Sequence, residues 1–205
     1  MSVLLVIDVQ NDFCPDGALP VPDGDRIIPT INRLRTFFDH VIFTQDWHPP
    51  EHMSFAENHP GKKPGEIIRL GNQEQVLWPT HCVQGSPGAQ FHKRLIIHPT
   101  DAIFKKGTDP AIDSYSAFYD NGHRRGTGLS EYLRNIGARE LSVCGLATDY
   151  CVKHTVLDAL SEELRVKVFF EACRGVNLNP SDTENALKEM QQQGAKLVTA
   201  EVSRT

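Results

Sequence analysis

Six short apolar runs rich in β-branched residues, at 3–7, 41–44, 102–105, 141–145, 166–170 and 196–199, punctuate this chain, and stretches with helical spacing lie between several of them. Ile28, Ile31, Leu34 and Phe38 share one helical face, as do Leu129, Leu133 and Ile136 ahead of Gly137, and Val152, Thr155, Val156, Ala159 and Leu160. A fourth stretch opens with Ser181 and Glu184 in capping-box register and stops at Gly194, where a left-handed residue closes a helix well. Strands that are apolar throughout and alternate with helices bury both faces of their sheet. The expectation is an α/β fold with a mostly parallel sheet of about six strands and helices on both faces.

At 205 residues, one compact domain spanning 1–205 is the default. A net charge of -5 with dispersed lysines and arginines offers no basic face for a phosphate backbone, so nucleic acid is not an expected partner. No run approaches the roughly eighteen apolar residues of a membrane span. Met1 leads directly into a strand-like run rather than a signal peptide, which sets the expectation of a soluble, cytoplasmic protein. Five cysteines, odd in number and without paired-ligand spacing, fit reduced thiols. The stretch 48–98 breaks the rhythm, being rich in Pro, Gly, His and charge. A loop of that length inside a compact domain is usually functional or disordered, and its potential ligands favour function.

In an open parallel sheet, ligands bind beyond the carboxyl ends of the strands. Asp8 ends the first run, Asp46 and His48 follow the second, Lys106 ends the third, and Cys151 comes shortly after the fourth. Any one of these has a bland explanation; five polar groups converging on one end of a sheet do not, given the desolvation penalty for charge. Cys151 falls at the expected start of a helix, where the dipole favours a thiolate and backbone N–H groups can receive an oxyanion. Lys106 beside the thiol would lower its pKa and pair with Asp8, which could then act as general base and general acid. Asp46 and His48, two apart, leave an extended strand on the same face and can share one ion, with His81 as third ligand. Such nitrogen and oxygen donors suit Zn²⁺, and would also accept Fe²⁺ or Mn²⁺. His52 is a further candidate for direct or indirect metal contact; the remaining histidines read as surface or packing. Cys82, Cys144 and Cys173 read as structural, and Cys14 is left open.

The ordered segments Asp8-Val9-Gln10-Asn11-Asp12-Phe13-Cys14, Asp46-Trp47-His48-Pro49, Trp78-Pro79-Thr80-His81-Cys82-Val83, Ser114-Tyr115-Ser116-Ala117-Phe118 and Gly145-Leu146-Ala147-Thr148-Asp149-Tyr150-Cys151-Val152 resemble the nicotinamidase/pyrazinamidase group of the isochorismatase-like cysteine hydrolases. The resemblance runs along nearly the whole chain, leaving residues 56–75 outside the strong motifs. It implies a three-layer α/β/α fold and hydrolysis of nicotinamide to nicotinate and ammonia through a cysteine thioester, with pyrazinamide as a second substrate. It implies Asp8, Lys106 and Cys151 as catalytic triad and Asp46, His48 and His81 as ligands of one divalent ion, Zn²⁺ foremost. Phe13, Trp78 and Tyr115 match aromatic pocket positions. A cis peptide before Ala147, with the N–H groups of Ala147 and Cys151 as oxyanion hole, is also implied. Two rivals remain at this point: a relative acting on another small amide, such as an N-carbamoyl amide, or on isochorismate, and a noncatalytic metal-binding module on the same fold. The expected partner is a small-molecule substrate, with a homo-oligomer left open.

Overall fold

The structure, a computed structural model, describes residues 1–201. Its centre is a six-stranded parallel sheet built from β1 (Val3–Ile7), β2 (His40–Asp46), β5 (Ala102–Lys106), β6 (Glu140–Leu146), β7 (Arg165–Arg174) and β8 (Lys196–Val198). The spatial order is β5-β2-β1-β6-β7-β8. All five residues of β1 are buried, as its unbroken apolar run requires of a central strand covered on both faces. Helices α1 (Ile28–Leu34), α2 (Leu129–Asn135), α3 (Lys153–Ser161) and α4 (Asp182–Gln192) connect the strands and complete a three-layer α/β/α architecture. The chain moves one way from β1 to β2 and β5, then returns to the other side of β1 for β6, β7 and β8. With right-handed crossovers this reversal puts α1 on one face and α3 and α4 on the other, and opens a crevice between the carboxyl ends of β1 and β6.

Several local expectations need correction. The face that begins at Ile28 stays helical only to Leu34; the chain tightens into a 3₁₀ turn over Arg35–Phe37, and Phe38 is extended with its ring edge-on to Phe169. Strand β7 runs to Arg174, well past 170. The Ser181 side chain does not cap α4. Ser181 itself has helical backbone angles, φ -94 and ψ -1, and the first turn is tied instead by Asn177 Oδ1, which accepts from Thr183 N at 2.9 Å. Gly194 closes that helix with φ 113 as expected. The long irregular stretch contains an antiparallel hairpin, β3 (Ile67–Leu70) and β4 (Gln73–Val76), which the sequence pattern did not reveal. No helix among the described residues is long and apolar enough to cross a membrane.

One glycine governs the crevice. Gly145 on β6 lies opposite Ile7 on β1, and a Cβ there would sit 2.2 Å from the Ile7 carbonyl oxygen. Its φ of 121 is also one that L side chains rarely adopt. Glycine therefore lets the ends of β1 and β6 close together, which brings Asp8 alongside the loop that carries Cys151.

Candidate active site

Beyond β6 the Leu146–Ala147 peptide is cis, and Thr148–Val152 forms a π-helical turn that runs into α3. A π turn inside a helical run displaces side chains from their ordinary positions and is common at functional sites. Here it holds Cys151, with the Asp149 carboxylate accepting from Val176 N (2.9 Å) and Asn177 N (2.7 Å) to pin the turn against the exit of β7.

Asp8, Lys106 and Cys151 meet as expected. Lys106 Nζ lies 2.9 Å from Asp8 Oδ2 and 3.3 Å from Cys151 Sγ, donates to the Ser114 carbonyl at 3.0 Å, and also reaches Asp46 Oδ1 at 2.5 Å. Thr44 Oγ1 donates to Asp8 Oδ1 at 2.6 Å and accepts from Asp8 N, fixing the carboxylate at the end of β1. Cys151 Sγ and an Asp8 carboxylate oxygen lie within 4.8 Å of each other. All these groups are buried.

The electrostatics correct one expectation. Burial pushes the Cys151 thiol well above its ordinary value; the Lys106 charge pulls it down but does not prevail, and Asp8 and Asp46 add to the rise. One ammonium faces two carboxylates, so a thiolate would add a further unbalanced negative charge in a dry site. Burial likewise raises Asp8 to about 6, with Asp46 adding to the rise and Lys106 and Thr44 opposing it. Lys106 stays charged. Burial disfavours its ammonium, yet Asp46 and Asp8 raise it well above the usual lysine value. With no ion beside Asp46, these charges favour a neutral thiol beside a carboxylate able to take its proton.

Asp46, His48 and His81 form a second cluster whose ligand atoms all lie within 4.8 Å of one another. His48 Nε2 is 3.5 Å and His81 Nε2 3.9 Å from Asp46 Oδ2. Each imidazole presents Nδ1 to a backbone carbonyl, His48 to Gly107 O and His81 to Pro79 O, both at 2.8 Å. A carbonyl oxygen can only accept, so Nδ1 carries the hydrogen and the Nε2 lone pairs converge with Asp46. That donor set fits a divalent ion of the zinc type. Gly107 allows it, since with φ 62 its absent Cβ would lie 2.3 Å from the His48 ring. Burial would raise the Asp46 carboxyl, but Lys106 and the two imidazoles hold it well below the usual carboxylate range. Gln10 ties the two clusters together, its Nε2 donating to Asp46 O at 2.8 Å and its Oε1 accepting from Asp46 N at 2.8 Å.

His52 stands next to His48, ring centroids 4.3 Å apart, and could form a metal-holding group with His48 and Asp113. Its Nδ1 accepts from Ser54 N at 3.3 Å, which leaves the hydrogen on Nε2, a buried atom with no hydrogen-bond partner among the described residues. Cys14 does not line the cleft; burial pushes its thiol up to about 11, the Asp25 carboxylate adding to the rise.

Between the two clusters lies a cavity of about 370 Å³, including its open mouth. Phe13, Trp78, Tyr115 and Ala147 line it as expected, and Asp46, His48, His81 and Cys151 face it. The sequence reading missed Tyr150, Leu19, Val176 and Asp113. Tyr150 crosses Trp78 edge-on at 4.8 Å and lies 5.4 Å from Tyr115 with the rings tilted by 60°, adding a further ring to the aromatic lining. Its position next to Cys151, and that of Asp113 next to the Ser114–Phe118 segment, were the available signals.

The sequence and the fold also match known proteins. Residues 2–202 match the Isochorismatase domain. The chain is 50% identical to the nicotinamidase of Escherichia coli (strain K12), over 96% of this chain and 93% of that protein. A solved structure described as Acinetobacter baumanii nicotinamidase pyrazinamidease superposes with a TM-score of 0.94 at 49% identity, covering 97% of this chain and 96% of that one. The pyrazinamidase of Pyrococcus horikoshii in complex with zinc superposes with a TM-score of 0.79 at 39% identity, covering 96% and 98%. A match of this extent, on a chain whose thiol, acid, amine and imidazoles meet in one crevice, places the protein in the Isochorismatase domain family.

Proposed function

We propose that this chain is a nicotinamidase that also accepts pyrazinamide, hydrolysing the carboxamide through a thioester on Cys151. The observation that carries this reading is the convergence of Cys151 Sγ, Asp8 and Lys106 Nζ, with Cys151 facing an aromatic-lined cavity. The relatives named above supply the substrate class.

The chemistry follows from the charges. As Cys151 Sγ attacks the amide carbon, the thiol proton passes to Asp8, whose carboxylate lies within 4.8 Å of the sulfur and whose elevated pKa, about 6, suits it to both halves of the transfer. Asp8 then delivers that proton to the amide nitrogen, the C–N bond breaks and ammonia leaves. Water enters with Asp8 as base, the C–S bond breaks, and nicotinate is released as the thiol is restored. Lys106 remains protonated throughout and offsets the carboxylate charge. The backbone N–H groups of Ala147 and Cys151 are assigned to the oxyanion.

Asp46, His48 and His81 would hold one divalent ion, with Zn²⁺ favoured by the donor set; such an ion supplies a Lewis-acid anchor for a ring nitrogen. The aromatic residues orient the ring so that its carboxamide faces the thiol, a positioning effect worth several kcal/mol of barrier. Release of ammonia from nicotinamide, pyrazinamide and a panel of nonaromatic amides tests the reading. The expected outcome is turnover of the two heteroaromatic amides only, and preference for an N-carbamoyl amide would overturn it.

A further inference from the structure

The β3–β4 hairpin has no place in the sheet and contributes nothing to the thiol or imidazole clusters. Its strands are exposed or half-buried along their length, with one departure: among the described residues of the hairpin, only Gln75 is buried, at 4% exposure. A lone amide driven inward from an otherwise exposed ribbon needs polar partners, since an unsatisfied buried amide is costly. It has three. Gln75 Nε2 lies 2.7 Å from Val76 O, 3.1 Å from Asp113 Oδ2 and 3.2 Å from Tyr115 Oη.

The second and third of these belong to the substrate cavity. Asp113 and Tyr115 both line it, and Asp113 also lines a larger open cavity on the outer side, which Gln75 lines too. The Gln75–Asp113 hydrogen bond therefore sits in the partition between the two. Tyr115 Oη accepts a second N–H, from Trp78 Nε1 at 3.2 Å. With both oxygen lone pairs engaged, the position of the Tyr115 ring is tied to Trp78 on one side and to the hairpin on the other. Asp113 is held likewise, its Oδ1 accepting from Ser114 N at 2.7 Å and its Oδ2 from Gln75.

We propose that Gln75 is a positioning residue for the amide-hydrolysis reaction, its side-chain N–H groups fixing Asp113 and Tyr115 as the wall against which the substrate ring is seated. It touches neither the reacting carbon nor the thiol, so its removal acts on substrate seating rather than on bond breaking. The inference rests on the nicotinamidase reading.

Gln75→Met keeps the side-chain volume and deletes the donor. Its KM for nicotinamide should rise about tenfold, the scale of one lost hydrogen bond, while kcat stays within about threefold of the parent and the bound metal and melting temperature are retained. If packing alone mattered, Met would restore the parent KM. A double-mutant cycle with Tyr115→Phe supplies the second readout: once the phenol oxygen is gone, the penalty of Gln75→Met should shrink. Gln75→Glu, equal in shape to the parent residue, turns the donor into a carboxylate facing Asp113 and should raise KM further than Met; it serves as well if the Met variant does not fold. An unchanged KM in Gln75→Met or Gln75→Glu, or full additivity with Tyr115→Phe, overturns the proposal. Parent enzyme run alongside separates the two levels, because absence of ammonia release by the parent would refute the nicotinamidase reading itself.

Discussion

The two walls of the cleft were built by different means. The reacting wall hangs from strand ends: Asp8 after β1, Asp46 at the end of β2, Lys106 at the end of β5 and Cys151 in the turn after β6. Its groups are fixed by a parallel sheet whose central strand is buried throughout and by short contacts to one another. The seating wall, with Trp78, Asp113, Tyr115 and the supporting Gln75, comes from inserted loops and a hairpin outside the sheet. The difference teaches that reactivity here is a property of the scaffold, while ring recognition is supplied by chain that the scaffold does not determine. Changes to the first wall should therefore appear in kcat or in folding, and changes to the second in KM.

The largest contrast is expected at Cys151. Cys151→Ala should lower kcat by about 10⁴-fold or more, while calorimetric titration finds substrate affinity and metal content near those of the parent. A residual activity of a tenth or more would remove the nucleophile from the reacting wall. Lys106→Ala should be costly in a different way, since it leaves Asp8 and Asp46 buried with no cation between them. A loss of about 3–5 kcal/mol in urea unfolding is expected, because breaking a buried ion pair strands the remaining charge.

The metal cluster should separate binding from chemistry. His81→Ala is expected to lower metal affinity by about 100-fold or more, with a raised KM, as measured by elemental analysis and steady-state kinetics. Removing the ion from the parent protein with a chelator should also slow alkylation of Cys151. Without the ion the neighbouring charges are two carboxylates and one ammonium, which disfavours a thiolate; a divalent ion would reverse that balance.

The acid limb of the pH profile gives a smaller and graded effect. Asp8 must be ionised to accept the thiol proton, and its carboxyl is raised by burial to about 6. The value of kcat/KM should accordingly be constant above that pH and fall about tenfold for each unit below it, as read from initial rates between about pH 4.5 and 8. A flat profile down to pH 4.5 would mean that another group serves as base. Trp78→Phe should be the mildest change, retaining an aromatic face but losing the bond from Nε1 to Tyr115 Oη, for a rise in KM of about threefold.

The reacting wall was legible in the sequence for a physical reason. Asp8 and Lys106 terminate apolar runs, where a charge has no place unless it meets a partner, and strand polarity sends both to the same end of the sheet. The Asp-x-His pair could be read the same way, since alternation along a strand puts Asp46 and His48 on one face. Proton affinity was less legible: the Cys151 thiol was expected to be lowered by Lys106, but burial and two carboxylates outweigh one ammonium. The seating wall was visible mainly by resemblance. The hairpin is short and largely exposed, so it carries no apolar alternation to announce its strands, and Gln75 looks like any surface glutamine until its burial is known. Tyr150 was overshadowed by the cysteine that follows it.

The most direct test of nucleophilic catalysis by Cys151 is acid-quenched turnover of nicotinamide followed by peptide mapping. The nicotinoyl group should be found on the Cys151 peptide and be absent from the Asp8→Asn protein. Its recovery on Cys14, Cys82, Cys144 or Cys173 instead, or a burst of nicotinate with no acylated cysteine at any time, would contradict the mechanism.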